Sequence, residues 1–414
     1  FTIPWGNPRE AYKILENLLA SLRHAAAKRL SYHGVDDVVP IRQIPQAIHV
    51  TKAMGSLSFL VRRWTVCAKF FVALLVGSVA MPVWAQNQAV LPGARSVIDA
   101  ARYPSLQAAL DAVPETGGVV RLPPGDFEIN EPLVLQRGDT RIEGAGSATN
   151  IINRNQEGQP ALILQHPDGA NVKRSDRLWR INISNLRITG NEKSGHGVLA
   201  VQIEEIYIQG VTITKNGGDG IRLDHCFEDP RVSNCLITYN KQTGLCLLEC
   251  HDIVVAANQF EENMDALHCI DSFNLCMTGN CLDDHLGRGV LIENTYGSVL
   301  SGNMIEECKA AAVTLARDCY GITLAANVIA HNGAGVNLDD AHGCAVSANT
   351  FTIMKTDALR VGPNSARITV TGNSFSDSFV GDGSVKRAEN DLEAAGLVLE
   401  GTEDIVISGN VFSG

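Results

Sequence analysis

An asparagine recurs at a nearly fixed spacing through the second half of the chain, and each copy is followed by a short apolar stretch. The series consists of Asn234, Asn258, Asn280, Asn303, Asn327, Asn349, Asn373 and Asn410. The successive spacings, by subtraction of residue numbers, are 24, 22, 23, 24, 22, 24 and 37, and Asn185 and Gly210 extend the series towards the N-terminus. A period of this size is typical of a solenoid, in which each repeat buries its apolar face against its neighbours.

A second part of each repeat is a strand-like phrase that often begins with glycine. Eight such phrases occupy residues 220–226, 244–250, 266–272, 289–295, 312–318, 335–341, 358–364 and 396–402. Aliphatic residues alternate within them, as at Ile221 and Leu223, and this alternation indicates a strand with one buried face. The pattern predicts an all-β fold, namely a single-stranded right-handed parallel β-helix, a solenoid with about 22–25 residues per coil.

Stacking of the coils explains why asparagine is repeated. Adjacent coils are expected about 4.8 Å apart, so a side chain lies directly over its equivalent in the next coil. An amide has both donors and acceptors, and a column of amides can therefore bond upwards and downwards at a bend. We expect Asn258, Asn280, Asn303 and Asn327 to form such a column.

With these repeats, the chain resembles the pectate-lyase-like superfamily of right-handed β-helix proteins over residues 96–414. The resemblance includes the opening segment SVIDAARYPSLQAALDAVPETGGVVRLPPGDFEI. It implies a short N-terminal capping helix between Pro104 and Ala112 that closes the first coil with Leu106, Ala109 and Leu110. The superfamily contains lyases, hydrolases, epimerases, phage spikes and non-catalytic proteins, so the resemblance implies a fold and leaves the activity open.

The N-terminal region predicts export. Residues 62–85 combine an arginine pair, a short apolar run and a small-residue cleavage site, which is typical of a secretory signal peptide starting at Met54. A retained membrane anchor is the alternative. We expect four segments: 1–53 as upstream readthrough or an unstructured extension, 54–85 as the signal peptide, 86–118 as the cap segment, and 119–414 as the β-helix, with a truncated C-terminus.

Charge and cysteine content narrow the choice of partners. The net charge of −11 and the lack of a basic stripe argue against nucleic acid. Ten of the 11 cysteines lie between residues 226 and 344, and Cys226 and Cys250 occupy equivalent places in adjacent coils. This favours small packed columns, with one or two disulfides as the alternative. No CxxC pair occurs, so no metal site is predicted.

The resemblance also implies a groove along one parallel sheet, formed by outward residues of neighbouring coils. We expect the glycine-led phrases to form that sheet. The candidate catalytic residues are Asp339, Arg360, His268 and Glu293, and the candidate substrate-binding residues are Asn337, Asp340, Arg317, Arg222 and Asp224. Adjacent coils should place Asp339 within contact of Arg360 or Arg317.

A carboxylate beside an arginine supports three interpretations: an acid or base, a holder of Ca²⁺ beside a uronate, or a surface ion pair. Uronate elimination or epimerisation needs a base for the C5 proton and a cation for the carboxylate. Hydrolysis needs two carboxyl groups around the glycosidic oxygen, and Glu293 and Asp339, two coils or roughly 10 Å apart, are near the upper limit. An exposed ladder of solvated charges is the structural alternative.

His268 is the histidine expected on the outer face of this sheet, between Cys246 and Leu291. It is a candidate general base near neutral pH, and a packed surface residue is the alternative. Gly195-His196-Gly197 is not assigned to the site, because the motifs that accompany such a phrase in polygalacturonases are missing.

Asp283-Asp284-His285 has the composition of a metal site. His285, however, falls where other repeats have Asn263, Cys308 or His331, so we interpret it as a turn-ladder residue. The long interval between Asn373 and Asn410 contains an insertion whose Lys386 and Arg387 are candidates for glycan binding.

Two classes of function remain open. The leading hypothesis is an exported carbohydrate-active protein, periplasmic or extracellular, that acts on a polysaccharide, above all an acidic one, as a lyase, epimerase or glycoside hydrolase. The alternative is a non-catalytic cell-envelope or surface β-helix that binds glycan or protein. No membrane span is expected after signal cleavage, and Ca²⁺ is the one cofactor considered.

Overall fold

The computed structural model describes residues 91–378 and 396–413 of the chain. The predicted signal peptide, the segment before it, and Lys386 and Arg387 lie outside these residues. Within them, no helix is both long enough and apolar enough to cross a membrane.

Nearly all strands of the described residues belong to three parallel sheets of 15, 12 and 11 strands, here named sheets A, B and C. Sheet A contains Ser96–Asp99, Gly118–Arg121, Thr140–Glu143, Asn182–Ser184, Tyr207–Gln209, Arg231–Ser233, Val254–Ala256, Cys276–Thr278, Val299–Ser301, Cys319–Tyr320, Thr323–Ala325, Ala341–His342, Ala345–Ser347, Ala366–Thr371 and Glu403–Ser408. Sheet B contains Gly125–Ile129, Thr149–Asn153, Arg187–Thr189, Thr212–Thr214, Leu236–Thr238, Gln259–Glu261, Cys281–Asp283, Met304–Glu306, Val328–Ala330, Thr350–Met354, Ser374–Ser378 and Val411–Ser413. Sheet C contains Leu133–Leu135, Leu162–Leu164, Val198–Val201, Ile221–Asp224, Leu245–Leu248, Leu267–Ile270, Val290–Glu293, Ala311–Ala316, Ala334–Leu338, Leu359–Val361 and Leu397–Leu399. A further two-stranded sheet joins Leu178–Trp179 and Ile203–Glu204.

Strand pairing fixes the length of each coil. Ile221 pairs with Leu245, and Leu245 pairs with Leu267, so these coils contain 24 and 22 residues by subtraction. The prediction of an all-β right-handed parallel β-helix with this repeat length is confirmed. One earlier coil is longer, since Leu162 pairs with Val198, 36 residues further on by subtraction.

A continuous column of asparagines connects the coils, as predicted. Its members are Asn258, Asn280, Asn303, Asn327, Asn349, Asn373 and Asn410. At each step the Nδ2 amide donates to the Oδ1 of the next asparagine at 2.9–3.0 Å. The backbone N–H of each asparagine donates to the same Oδ1. Because all of these amides except that of Asn410 are buried, a bond that failed to form among them would leave a polar group without water.

Asn234 does not belong to this column, and neither do Asn185 and Gly210. The column position in the coil of Asn234 is held by Cys235, whose backbone N–H donates to Asn258 Oδ1 at 3.0 Å. Asn185, Gly210 and Asn234 have φ angles of 55°, 62° and 54°. The predicted extension of the asparagine series towards the N-terminus is therefore wrong: Asn185, Gly210 and Asn234 each lie one residue before the column position. Asparagine and glycine are also the residues that best tolerate the left-handed conformation required just before the column.

A second polar column follows the ends of the sheet B strands. Its members are Asn216, Asn240, Asn263, His285, Cys308 and Asn332. His285 is fully buried and its Nδ1 accepts the backbone N–H of Asn263 at 3.2 Å. Burial lowers the pKa of His285 to about 4. The interpretation of His285 as a ladder residue is confirmed, although Asn332 and not His331 holds the equivalent position.

Acidic side chains gather beside this second column. Carboxylate oxygens of Asp283, Asp284 and Glu307 lie within 4.8 Å of one another. Desolvation, followed by repulsion from Glu306 and Asp284, raises the pKa of Asp283 to about 6. Sheet B therefore presents a surface on which carboxylates repel each other at neutral pH.

The interior of the solenoid consists of stacked aliphatic side chains. One column follows the middle of sheet A and contains Ile208, Val232, Val255, Met277, Leu300, Leu324, Val346 and Val370. Near the C-terminal end, Phe351 stacks on Phe375 with ring centroids 4.9 Å apart, and Phe375 stacks on Phe412 at 4.6 Å. Burial of these columns supplies the main apolar stabilisation of each coil.

The predicted N-terminal helix is present as Leu106–Asp111. Its buried side chains are the expected Leu106, Ala109 and Leu110, and Ser105 caps its first turn. The side chain of Gln107 bonds both backbone groups of Val134, which lies in the terminal strand of sheet C. The helix thus covers one backbone edge, while closure of the whole first coil by it stays a prediction. Four 3-10 turns occur at Ala100–Arg102, Gly146–Ala148, Gly169–Asn171 and Arg174–Asp176.

The ten described cysteines carry free thiols, and eight of them are buried. Burial raises the pKa of Cys235 to about 11, so its thiol is protonated at neutral pH. The burial of eight cysteines agrees with the predicted packing, but Cys235, Cys246 and Cys308 lie in columns with polar residues and not in a column of small apolar side chains.

We expect Asn303→Ala to lower the free energy of unfolding by about 1–3 kcal/mol, because it leaves buried partners of the column unpaired. Asn303 donates to Asn327 and to the Met277 carbonyl, and it accepts from Asn280. Urea unfolding monitored by circular dichroism measures the change. The matched control is Asn234→Gly, which removes an asparagine outside the column and suits its left-handed backbone; we expect a change within about 0.5 kcal/mol. Equal losses in both variants would contradict the role of the column.

We expect Asp283→Asn to flatten the pH dependence of stability between about pH 4 and 6. The raised pKa means that the native protein binds more protons than the unfolded chain in this window. Stability of the parent therefore falls as pH rises through it. The variant should match the parent near pH 3.5 and exceed it at pH 7, as measured by thermal midpoints across the range. A variant less stable than the parent at pH 7 would contradict the repulsion among these carboxylates.

Candidate functional site

The outward residues of sheet C stack in the predicted register. The third residues of the glycine-led phrases pair coil by coil, in the order Arg222, Cys246, His268, Leu291, Thr314, Asn337, Arg360 and Val398. Parallel pairing places neighbouring strands about 4.8 Å apart, so long polar side chains reach from one coil to the next. Together with residues of the adjoining turns, these polar side chains form three groups along sheet C.

The central group consists of His268, Asp271, Glu293 and Arg317. Nε2 of His268 and Oε2 of Glu293 lie 2.7 Å apart. The other carboxylate oxygen of Glu293 is 3.9 Å from Nη1 of Arg317, whose Nη2 donates to Asp271 Oδ1 at 3.2 Å. Glu293 therefore connects a histidine from the preceding coil with an arginine from the following coil.

This contact determines the proton arrangement on the imidazole. A carboxylate only accepts hydrogen bonds. In the neutral imidazole of His268, Nε2 therefore carries the hydrogen and donates a hydrogen bond to Glu293. Nδ1 then keeps a lone pair and can take up a proton. The side chains of His268 and Glu293 are 22% and 21% exposed, so the pair is partly shielded from water while remaining open to a ligand.

The sequence predicted that Asp339 would contact either Arg360 or Arg317. The structure shows the contact with Arg360, whose Nη2 is 3.8 Å from Asp339 Oδ1. Arg317 instead reaches back over the preceding coils to Glu293 and Asp271. Its own backbone is left-handed, with φ of 56°, and this conformation breaks the strand pattern on which the expectation was based.

The N-terminal group surrounds Asp219, a buried carboxylate whose side chain is 4% exposed. Oδ2 of Asp219 is 3.6 Å from Nη1 of Arg222, and Oδ1 accepts the backbone N–H of Thr243 at 3.0 Å. Nδ1 of His196 accepts the backbone N–H of Asp219 at 3.0 Å. Burial lowers the pKa of His196, and the Asp219 carboxylate offsets this only in part.

The same group continues along its coil through Asp224 and His225. Nε of Arg222 is 4.0 Å from Asp224 Oδ2, and the Asp224 carboxylate contacts Nδ1 of His225. Nε2 of His225 is 2.9 Å from Glu249 in the next coil. Arg222 and Asp224, both predicted, are therefore two links in a longer chain of charged side chains.

The C-terminal group consists of Asn337, Asp339, Arg360 and Glu400. Asn337 and Arg360 are register partners in adjacent strands. Nε of Arg360 donates to Oε2 of Glu400 at 3.0 Å, and the Arg360 side chain is 34% exposed. The guanidinium is thus held between two carboxylates from different coils, with a third of its surface open to solvent.

The predicted catalytic residues do not share one centre. Arg360 lies four strand spacings from His268, on the order of 19 Å along sheet C. The whole row from Arg222 to Arg360 covers six spacings, on the order of 29 Å. His268 and Glu293 are in contact, and Asp339 and Arg360 are in contact, but the two pairs are separate. Asp340 lies beyond sheet C, at the corner leading to sheet A, where it contacts His342.

Sequence reasoning missed several members of these groups, namely Asp271, His196, Asp219, His225, Glu249 and Glu400. The Gly195-His196-Gly197 phrase and the aspartate before each strand were visible signals for two of them. His225, Glu249 and Asp271 each have a left-handed backbone directly after a sheet C strand, so the direction of their side chains does not follow the strand alternation.

Two families match the chain. The family described as "Right handed beta helix region" matches residues 168–329, and the family described as "Periplasmic copper-binding protein (NosD)" matches residues 249–414. A comparison with curated protein sequences gives no match.

Several solved structures are similar to this fold. The ORF18 protein of Geobacillus virus E2 has a TM-score of 0.52 at 13% identity; the match covers 77% of this chain and 63% of that protein. The A-module of the mannuronan C-5 epimerase AlgE4 from Azotobacter vinelandii has a TM-score of 0.53 at 16% identity, covering 77% of this chain and 100% of the module. A double mutant of the periplasmic alginate epimerase AlgG has a TM-score of 0.53 at 15% identity, covering 77% and 84%. At these identities the likeness concerns the fold.

The stacked coils, the in-register columns and the family match over residues 168–329 agree with one another. They show that this chain folds as a right-handed parallel β-helix repeat protein.

Proposed function

We propose that this chain binds an acidic polysaccharide along the outer face of sheet C and acts on it as a uronate lyase or epimerase at the central group. The observation that carries the proposal is the contact of Glu293 with both His268 and Arg317. It places a proton acceptor and a guanidinium on the same open strand surface. Export to the periplasm or the cell exterior is part of the proposal, since such polysaccharides lie outside the cytoplasm.

Binding along the sheet is supported by the spacing of arginines. Each of the three groups contains one, namely Arg222, Arg317 and Arg360, and the row is on the order of 29 Å long. A guanidinium binds a carboxylate through two parallel hydrogen bonds. Arg317 is 53% exposed, so it can bind a ligand carboxylate while Asp271 and Glu293 hold its position.

The chemistry proposed for the central group is proton abstraction. His268 Nδ1 takes the C5 proton of a uronate, and the C–H electron pair moves towards the uronate carboxylate, where Arg317 stabilises the added charge. In a lyase the electrons then form the C4–C5 double bond, and the C4–O bond breaks with protonation of the leaving oxygen. In an epimerase C5 regains a proton from the opposite face.

Hydrolysis fits this arrangement less well. It needs one protonated and one ionised carboxyl group on either side of the glycosidic oxygen. Glu293 is instead engaged by His268 and Arg317, so neither of its oxygens is free to face a glycosidic oxygen.

A second candidate is a binding protein without catalysis. Carboxylates of sheet C are already engaged by basic side chains of the same surface, as Glu400 is by Arg360 and Glu249 by His225. Such a surface also suits a protein that only recognises a glycan. The alginate epimerases with a similar fold make alginate the first polysaccharide to test for both candidates.

We expect His268→Gln to reduce turnover by at least about 100-fold, because it removes the proposed base while keeping a side chain of similar size. Purified protein is incubated with alginate and other uronate polymers; unsaturated products are followed by absorbance and epimerised residues by NMR. The matched control is His166→Gln, a surface histidine beside Asp168 outside the three groups, which should keep full activity. Activity of the parent that survives in His268→Gln would refute the assignment. Glycan binding without turnover by the parent would establish the second candidate.

We expect Arg360→Ala to raise KM by about tenfold or more with a smaller change in kcat, because Arg360 lies on the order of 19 Å from His268 and contacts a flanking sugar. The thermal midpoint should remain nearly unchanged, since the side chain is partly exposed and its ion pairs lie near the surface. A large drop in the midpoint would show that the residue is structural instead.

A further inference from the structure

A cavity lies on the outer face of sheet A, at the N-terminal end of the solenoid. Its volume is about 280 Å³. Side chains from several neighbouring coils line it, among them Arg95, Val119, Asp139, Arg141, Arg180 and Asn182. Val119, Arg141 and Asn182 are register partners in adjacent strands, so the cavity extends from coil to coil.

Three arginines in this cavity are arranged around a single carboxylate. Nε and Nη2 of Arg180 donate to the two oxygens of Asp139 at 2.7 and 3.1 Å, and Nη1 of Arg95 is 3.0 Å from Asp139 Oδ1. Arg141 has a separate partner, since its Nε is 3.4 Å from Glu143 Oε2. The three guanidinium groups thus contact two carboxylates, and one positive charge is left over.

Each guanidinium retains N–H groups that the described part of the chain does not use. Both Nη atoms of Arg141, Nη2 of Arg95 and Nη1 of Arg180 have no hydrogen-bond acceptor among these residues. The side chains are between 40% and 52% exposed, so a ligand can reach them. Paired N–H groups of this kind bind a carboxylate or a phosphate through parallel hydrogen bonds.

The cavity also contains an acceptor without a donor. Oδ1 of Asn182 is buried and has no hydrogen-bond partner among the residues that the structure describes. A buried acceptor in this state costs free energy that a ligand hydroxyl can recover by donating to it. The donor and acceptor groups together call for a ligand that carries both an anionic group and a hydroxyl.

We propose that this cavity binds a small hydroxylated carboxylic acid of the size of one sugar acid. The guanidinium groups take the carboxylate, and the amide oxygen of Asn182 takes a hydroxyl. The volume lies at the lower end of the range for ligand sites, which suits one sugar ring better than a longer chain. Inorganic phosphate offers the charge without the sugar hydroxyls and should bind more weakly.

This site is separate from the groups on sheet C and does not rest on the proposed function. The strand Asn182–Ser184 is four strand spacings along sheet A from Cys276–Thr278, the strand that follows His268 in the chain. That separation is on the order of 19 Å along the solenoid. The two sites also lie on different sheets.

The test is protection of individual arginines from phenylglyoxal, an arginine-specific reagent, with mass spectrometry of the purified full chain at low salt. Glucuronate at about 10 mM saturates a site with a Kd of about 1 mM. We expect it to slow modification of Arg95, Arg141 and Arg180 by about fivefold or more. Glucose should give no protection, and inorganic phosphate should give less than glucuronate. Arg317 is measured in the same experiment, so a failure of the sheet C proposal is recognised separately.

Variants then test the contribution of Arg141. Arg141→Gln should abolish the protection of Arg95 and Arg180 by glucuronate, because it removes the guanidinium between them and the sheet surface. The matched control is Arg231→Gln. Arg231 is exposed, lies in the same outward row of sheet A as Arg141 and is outside the cavity. This control should keep the protection of the parent.

The proposal is overturned if glucuronate protects none of the three arginines of the parent. Equal protection by inorganic phosphate would also overturn it, since the site would then recognise only charge. Undiminished protection of Arg95 and Arg180 in Arg141→Gln would have the same consequence. If Arg141→Gln fails to fold, Arg141→Lys decides, because it keeps the charge and loses the paired N–H groups. Protection in that variant equal to the parent would contradict the proposal.

Discussion

Vertical registry between coils is the constraint on which this structure depends. Parallel backbone pairing sets the coil spacing, and the buried asparagine column makes the alignment specific. Each amide in the column donates to the next amide and to a carbonyl of the previous coil, as Asn327 does to Asn349 and Leu300. A slip of one residue would turn apolar side chains outward and leave several buried amides unpaired, and both consequences are costly.

The same registry creates the sites. His268 and Glu293 are 25 residues apart, and Arg360 and Glu400 are 40 apart, yet each pair is in contact because their coils are adjacent. The groups on sheet C are therefore fixed by the scaffold and not by local sequence. At the corner from sheet C to sheet A the coil length varies, since the five steps from Leu315 to Tyr320 face four steps from Leu338 to His342.

The fold and the register of sheet C could be predicted because alternation with period two and a constant repeat length leave one consistent alignment. The asparagine column was predictable forwards from Asn258 but not backwards. Asn234 and Asn185 occupy the left-handed position just before the column. Asparagine suits both positions, the first because it tolerates a left-handed backbone and the second because its amide bonds to neighbouring coils, so the sequence alone does not distinguish them. The partners of Arg317 could not be predicted, since a long side chain on a left-handed residue can reach either neighbouring coil.

Charge is distributed unevenly over the faces of this chain, whose net charge is −11. On sheet B, Asp283 faces other carboxylates, and repulsion contributes to its raised pKa. On sheet C, Glu293 and Asp339 instead face arginines or histidine. The carboxylates of sheet C are therefore compensated locally, whereas those around Asp283 repel one another. Under the proposed function, this local compensation leaves the arginines of sheet C as the groups that an acidic polysaccharide would approach, and salt would weaken that attraction because Arg317 is half exposed.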